Sequence, residues 1–135
     1  MRNGESEQRR HVLIVDDEVD ITTALKKGIE TKGFKVDAYN APTEAIRHFK
    51  PNTYDLAILD VRMPEMSGFE LYRELKKLDG GLDFCFFTAF DIYPDEFGKM
   101  FPDISVKAFL KKPISLSQLM LQVNLIADGQ KGRKK

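Results

Sequence analysis

The chain has 135 residues, of which 42% are hydrophobic, and it carries 21 basic and 21 acidic side chains and one cysteine. This length suffices for one domain that buries about two thirds of its unfolded surface. The zero formal net charge argues against a general nucleic-acid binder, which needs a basic surface, and a single thiol excludes an internal disulfide framework.

The two ends of the chain are polar. The start lacks the apolar segment of a signal peptide, and no run approaches the roughly twenty apolar residues of a membrane span. We therefore expect a cytoplasmic protein with a flexible tail over 1–10, a folded domain over 11–127 and a solvated basic tail over 128–135. Because so little chain follows 127, we expect a domain that acts without an attached output domain.

The first predicted elements are a strand, a helix and a second strand. The apolar run Val12–Val15 has no polar alternation, which is typical of a strand buried on both faces. Apolar residues at four-residue spacing over 21–29 then predict a helix, with Gly33 as its C′ glycine. A weaker strand follows at Lys35–Tyr39.

The middle of the chain repeats this alternation. Pro42 suits the first turn of a second helix, which Pro51 closes. The run Leu56–Leu59 predicts another buried strand. Apolar spacing over 68–78 then outlines a third helix that stops before Gly80.

The last third of the chain is less regular. Buried-strand runs lie at Phe84–Phe87 and Ala108–Leu110. The prolines between them leave room only for a short fourth helix over 95–101, which we expect to be the most mobile part of the fold. Ser115 and Gln118 have the spacing of a capping box and open the last helix.

Five strands thus alternate with about five helices. Because crossovers between parallel strands are right-handed, the natural arrangement is a doubly wound α/β domain. Ligands of such sheets bind at the carboxyl ends of the strands.

Polar side chains follow four of the five predicted strands. They are Asp16, Asp17 and Glu18 after the first, Asp60 after the third, Thr88 after the fourth, and Lys111 and Lys112 after the fifth. Each has an ordinary structural explanation by itself, since acidic residues charge helix starts and aspartates form turns. Their joint occurrence at one sheet edge favours phosphoryl chemistry, which needs a nucleophile and a means of neutralising negative charge.

The chain resembles the receiver domains of two-component response regulators. The resemblance covers about His11 to Ala127 and rests on five elements in the family order: Val15–Glu18, Leu59-Asp60, Met63–Gly68, Thr88-Ala89 and Lys112-Pro113. It implies a flavodoxin-like (βα)5 fold with a doubly wound parallel sheet of strand order 2-1-3-4-5.

The resemblance also assigns roles to the strand-end residues. Asp60 is then the phosphoacceptor, Thr88 the switch hydroxyl, and Lys112, rather than Lys111, the ion-pairing lysine. The Lys112–Pro113 bond is expected in cis, which an X-Pro bond adopts at small cost.

The implied cofactor is Mg²⁺, with Mn²⁺ as a substitute. Asp17 and Asp60 are the expected direct ligands, together with the backbone carbonyl of Arg62, while Asp16 acts through water. This set suits a hard cation that prefers oxygen ligands and keeps several waters. We expect Asp60 to stay ionised, because a divalent ion and the ammonium of Lys112 face it.

Two aromatic residues suggest how this chain differs from other members of the family. Phe109 stands at the family's switch aromatic, where a ring without a hydroxyl can signal only by repacking together with Thr88. Phe90 stands two residues after Thr88, and we expect it, with Arg62, to tune the lifetime of the phosphorylated form by limiting the access of water.

These observations predict a signalling switch rather than an enzyme that turns over external substrates. Its partners would be a histidine kinase or histidine phosphotransfer protein and a downstream protein, the latter bound by the fourth helix, fifth strand and last helix; a homodimer would use the same face. A phosphorelay intermediate, a phosphate sink, a receiver cut from a longer regulator and a phosphorylation-independent binding module remain as alternatives. A haloacid dehalogenase-type phosphatase is disfavoured, because Arg62 stands where its general acid would be.

Overall fold

The computed structural model describes residues 10–89, 98–99, 101–102 and 108–129. Five parallel strands form one sheet in the order β2-β1-β3-β4-β5, which confirms the predicted topology. The strands are β1 (His11–Val15), β2 (Lys35–Tyr39), β3 (Leu56–Asp60), β4 (Asp83–Thr88) and β5 (Ala108–Lys111).

The helices that cover the sheet lie where the apolar spacing predicts them. They are α1 (Val19–Glu30), α2 (Pro42–His48), α3 (Gly68–Leu78) and α4 (Leu116–Gly129). The last helix continues past the boundary predicted at 127, and most of the short helix predicted over 95–101 lies outside the described residues. Within the described ranges, no helix combines the length and apolar character needed to cross a bilayer.

Two apolar layers sandwich the sheet, because successive side chains of a strand point to opposite faces. Val12 and Ile14 pack into the layer beneath α1 and α4. Leu13 and Val15 pack into the layer beneath α2 and α3. All five residues of β3 are buried, so the central strands show the uninterrupted apolar runs of a sheet covered on both faces.

Two helix ends can be compared closely with the sequence predictions, the end of α1 and the start of α4. Gly33 has the left-handed φ of 93° that favours glycine. However, the C-cap of α1 is Thr31, so Lys32 is the C′ residue, and the prediction of Gly33 as the C′ glycine is wrong by one position. The predicted capping box of α4 is confirmed, since the Gln118 backbone N–H donates to Ser115 Oγ at 3.1 Å and the Ser115 N–H to Gln118 Oε1 at 3.3 Å.

Candidate functional site

Three carboxylates meet at the carboxyl edge of the central strands. Asp16 and Asp17 follow β1 directly, Asp60 ends β3, and these two strands are hydrogen-bonded neighbours in parallel register. Each of the three side chains offers an oxygen that lies within 4.8 Å of the other two. The convergence that the sequence predicts is therefore present in the folded chain.

The three carboxylates differ in how firmly they are held. Asp16 is 1% exposed and Asp60 is 6% exposed, whereas Asp17 is open to solvent. Asp16 Oδ1 accepts a hydrogen bond from the backbone N–H of Glu18 at 2.9 Å, and the side-chain amide of Asn40 donates to the Asp16 carbonyl at 2.9 Å. Asp16 is thus fixed in place, while Asp17 remains accessible to an incoming ligand.

Within the described part of the chain, the ammonium group of Lys112 contacts this acidic cluster. Lys112 Nζ lies 2.8 Å from Asp16 Oδ2, 3.0 Å from Glu18 Oε1 and 3.5 Å from Asp60 Oδ1. The backbone N–H of Lys112 donates to the Thr88 carbonyl at 2.7 Å, which ties the end of β5 to the end of β4. The structure places Lys112 in the site and leaves Lys111 exposed, and the Lys112–Pro113 bond is cis.

The electrostatics of the site depend on this crowding of charge. Burial, followed by the neighbouring Asp16 carboxylate, raises the pKa of Asp60 to about 7, although the Lys112 ammonium acts in the opposite direction. Partial desolvation lowers the pKa of Lys112, but its hydrogen bonds to Asp16 and Glu18 outweigh this and leave the pKa raised. In the absence of a divalent ion, Lys112 alone does not keep the pKa of Asp60 at its ordinary value, and the expectation that a divalent ion and Lys112 together keep Asp60 ionised stays a prediction.

Thr88 and Phe109 lie on the neighbouring strands β4 and β5. Thr88 is the buried last residue of β4. Phe109 is partly buried, and its ring stacks on Phe86 with the centroids 5.6 Å apart. Phe86 in turn meets Phe69 edge-on at 4.8 Å, so the predicted switch aromatic is part of a larger aromatic cluster. Phe90 lies outside the described residues.

Gly68 ends the loop that follows Asp60. In the sequence it is recognisable only as the last residue of the Met63–Gly68 motif. A Cβ on Gly68 would lie 2.2 Å from the Asp60 carbonyl oxygen, which no other residue could tolerate without moving the backbone. The Gly68 N–H also donates to the Val61 carbonyl at 2.8 Å. A capping box between Ser67 and Glu70 starts α3 at this point, so the helix begins directly behind the acceptor loop.

Sequence reasoning also missed the contact made by Glu18. The sequence predicts only that Glu18 places negative charge at the start of a helix. Glu18 is the N-cap residue of α1, but its side chain makes no capping hydrogen bond. Its carboxylate pairs with Lys112 instead. The available signal was a third acidic residue continuing Asp16-Asp17.

The two histidines lie apart from the acidic cluster. His11 begins β1 at the opposite end of that strand, and His48 is exposed on α2. Neither belongs to a metal-binding cluster among the described residues.

The donor set fits a small, hard cation. All three candidate ligands are carboxylate oxygens, which Mg²⁺ and Mn²⁺ favour over nitrogen or sulfur. Oxygens around an octahedral Mg²⁺ lie roughly 3–4 Å apart, so the separations of up to 4.8 Å need only small side-chain rotations. The exposure of Asp17 leaves room for the waters that this ion retains.

Comparisons with known proteins agree with this geometry. Residues 12–124 match the family model of the response regulator receiver domain. The response regulator SaeR of Staphylococcus aureus is 32% identical over 114 residues, which cover 84% of this chain and 49% of that protein. The chain therefore belongs to the receiver domain family of response regulators, the signalling switches of two-component systems.

Solved structures show the same fold. The non-phosphorylated HemR receiver domain of Leptospira biflexa matches with a TM-score of 0.79 at 25% identity, over 88% of this chain and 94% of that one. The response regulator TrrA of Thermotoga maritima, solved in complex with Mg²⁺-BeF, matches with a TM-score of 0.73 at 27% identity, over 87% and 98%. The chain spans about half the length of the curated relatives that it matches.

Proposed function

We propose that this domain is a phosphorylation-activated switch that accepts a phosphoryl group on Asp60 from the phosphohistidine of a histidine kinase or histidine phosphotransfer protein. One observation carries the proposal: the Asp60 carboxylate lies within 4.8 Å of two further carboxylates, and Lys112 reaches into the same cluster. Such an arrangement joins a nucleophile to a cation site and an ammonium, which are the parts that phosphoryl transfer requires.

The proposed step is a simple displacement at phosphorus. An ionised Asp60 oxygen forms the new P–O bond while the P–N bond of the phosphohistidine breaks, and the imidazole nitrogen keeps that electron pair and takes up a proton. Because the pKa of Asp60 is about 7 in the metal-free site, a fraction of the molecules already has the reactive carboxylate at neutral pH. A cation beside Asp60 would increase the ionised fraction.

We assign the cation site to the acidic cluster. Asp17 and Asp60 would bind directly, the Arg62 backbone carbonyl would complete the protein ligands, and Asp16 would act through water. Bound Mg²⁺ or Mn²⁺ would neutralise the charge that develops on the transferring phosphoryl group. The Mg²⁺-BeF complex of the relative TrrA supports this assignment.

The remaining residues would hold the phosphoryl group and report its presence. Lys112 would pair with one phosphoryl oxygen and Thr88 would donate a hydrogen bond to another. As Thr88 moves toward the phosphoryl group, the Phe109 ring on the adjacent strand would repack against its aromatic neighbours. Arg62 and Phe90 would set the lifetime of the phosphorylated form by controlling the approach of water.

The output would be a change in binding to a protein partner rather than to nucleic acid or a membrane. We propose that the partner binds the face formed by the predicted short helix over 95–101, by β5 and by the last helix, α4. A homodimer would use the same face. The buried thiol of Cys85 suits a reducing compartment, and we propose that the protein works in the cytoplasm. A relay intermediate or phosphate sink would use the same chemistry without a separate output.

Intact-mass spectrometry after incubation with acetyl phosphate tests the proposal. We expect one phosphoryl adduct on the wild type in Mg²⁺ or Mn²⁺, none in EDTA, and none on Asp60→Asn. An adduct that persists on Asp60→Asn would contradict the assignment of the acceptor. The absence of any adduct in protein that binds Mg²⁺ would favour the phosphorylation-independent binding module.

A further inference from the structure

Glu18 differs from the other two carboxylates around Lys112 in its exposure. Its Oε1 lies 3.0 Å from Lys112 Nζ, and its side chain is 59% exposed. Asp16 and Asp60, by contrast, are buried. Among the described residues, Glu18 is therefore the partner of this ammonium that water can reach freely.

The contacts of Lys112 are unequal in length. Lys112 Nζ lies 2.8 Å from Asp16 and 3.0 Å from Glu18, whereas its distance to Asp60 is longer, at 3.5 Å. An ammonium has three hydrogens to donate. Asp16 and Glu18 engage two of them, so a phosphoryl group on Asp60 can accept from more than the third hydrogen only when one of these two partners gives way.

Exposure decides which partner gives way. Separating Lys112 from Asp16 would leave a buried carboxylate uncompensated, which is costly. Separating it from Glu18 returns a half-exposed carboxylate to water, which costs little. We propose that Glu18 is a positioning residue that holds Lys112 in the resting site and competes with the phosphoryl group for its ammonium. This inference rests on the proposed function of Asp60.

Three variants separate the contact from the charge. Glu18→Gln removes both the charge and the ion pair. Glu18→Asp keeps the charge but shortens the side chain by one methylene, so the carboxylate no longer reaches Lys112. Asp20→Asn removes one charge from the same turn of α1, and Asp20 is not among the described carboxylates within 4.0 Å of Lys112 Nζ.

The primary readout is the dissociation constant of beryllofluoride, a phosphoryl mimic, measured by calorimetry at saturating Mg²⁺. The second readout is the lifetime of the phosphorylated protein after acetyl phosphate is removed. Because an exposed ion pair contributes little, we expect Glu18→Gln and Glu18→Asp each to tighten beryllofluoride binding by about two- to five-fold. Both should lengthen the lifetime of the phosphorylated form, and Asp20→Asn should shift binding by less than about 1.5-fold.

The remaining outcomes overturn the inference. Equal effects of Glu18→Gln and Asp20→Asn would show that only net charge matters, and wild-type behaviour of Glu18→Asp would show the same. Unchanged or weaker binding by Glu18→Gln would exclude competition. A wild type that binds no beryllofluoride and takes up no phosphoryl group would instead refute the proposed function itself. Circular dichroism melts check folding, and Glu18→Asp supplies the test if Glu18→Gln does not fold.

Discussion

The carboxylates at the amino ends of the strands (the amino edge) and those at the carboxyl ends (the carboxyl edge) have different roles. At the amino edge, Asp37 Oδ2 lies 2.9 Å from His11 Nε2 and accepts a hydrogen bond from the Tyr54 hydroxyl at 2.7 Å. The backbone N–H of His11 donates to Asp55 Oδ2 at 2.9 Å. At the carboxyl edge, the carboxylates of Asp16, Glu18 and Asp60 surround the ammonium of Lys112, and Asp17 lies beside Asp16 and Asp60.

The difference shows what turns a group of carboxylates into a reactive site. The amino-edge carboxylates accept hydrogen bonds from neighbouring donors, so they join strands together as ordinary structural groups. The carboxyl-edge carboxylates outnumber the ammonium that contacts them, and the burial of Asp16 and Asp60 limits the screening of their charge by water. We propose that this excess, rather than the presence of aspartates, suits the carboxyl edge to a metal ion and a phosphoryl group.

The largest effect on stability should come from Gly68→Ala, since its Cβ would lie 2.2 Å from the Asp60 carbonyl oxygen. We expect a loss of about 2–3 kcal/mol in the free energy of unfolding, measured by urea denaturation. Gly80→Ala at the amino edge is the matched control, because its nearest neighbour is the Lys76 carbonyl at 3.9 Å and the change should stay within about 0.5 kcal/mol. Similar losses of unfolding free energy for Gly68→Ala and Gly80→Ala would contradict the prediction that the two edges differ in how closely the backbone packs.

The second largest difference between the two edges should be in their effect on Mg²⁺ affinity. Asp17→Asn removes an exposed candidate ligand, and we expect it to weaken Mg²⁺ binding at least ~10-fold, measured by titration calorimetry. Asp37→Asn removes an equal charge at the amino edge and should alter the Mg²⁺ dissociation constant less than ~2-fold. Equal weakening would mean that Mg²⁺ responds only to total charge.

The pH dependence of stability should have opposite signs at the two edges. At the carboxyl edge, the folded pKa of Asp60 is raised to about 7, so the folded state binds more protons than the unfolded state at mildly acidic pH. Its contribution is therefore present at low pH and is lost as pH rises through about 7. In EDTA, Asp60→Asn should stabilise the protein by on the order of 1 kcal/mol at about pH 8 and by less at about pH 5. A constant gain across that range would contradict the raised pKa.

The smallest effect should come from His11. Burial, opposed by the Asp37 carboxylate, lowers the pKa of His11, so the unfolded state binds more protons near the ordinary histidine value. This contribution is present above about pH 6.5 and is lost as pH falls through the folded pKa. His11→Gln should flatten the decline in unfolding free energy between about pH 7 and pH 5 by a few tenths of a kcal/mol. His48→Gln, which alters an exposed histidine, is the control, and an equal change in both variants would count against a special environment at His11.

Much of the fold could be predicted because the sheet is buried on both faces. Runs such as Val12–Val15 and Phe84–Phe87 have no polar alternation, and only covered parallel strands account for several of them in one short chain. Asp60 and Thr88 stand where such runs end, so their convergence at one edge follows from the topology.

The remaining features depend on distances that no local pattern encodes. The ion pair between Glu18 and Lys112 joins residues 94 positions apart. The close approach of Gly68 to the Asp60 carbonyl depends on how the loop folds back on β3. Lys111 ends β5 and Lys112 follows it, and the resemblance, rather than their chemistry, distinguishes Lys112.

Localising the phosphoryl group tests the central claim most directly. Borohydride reduces an aspartyl phosphate to homoserine, which peptide mass spectrometry can assign to a position. After acetyl phosphate treatment in Mg²⁺ we expect homoserine at position 60 and nowhere else, and none after treatment in EDTA. Homoserine at position 37 or 55, or at position 60 without a divalent cation, would contradict the account that charge excess at the carboxyl edge defines the site.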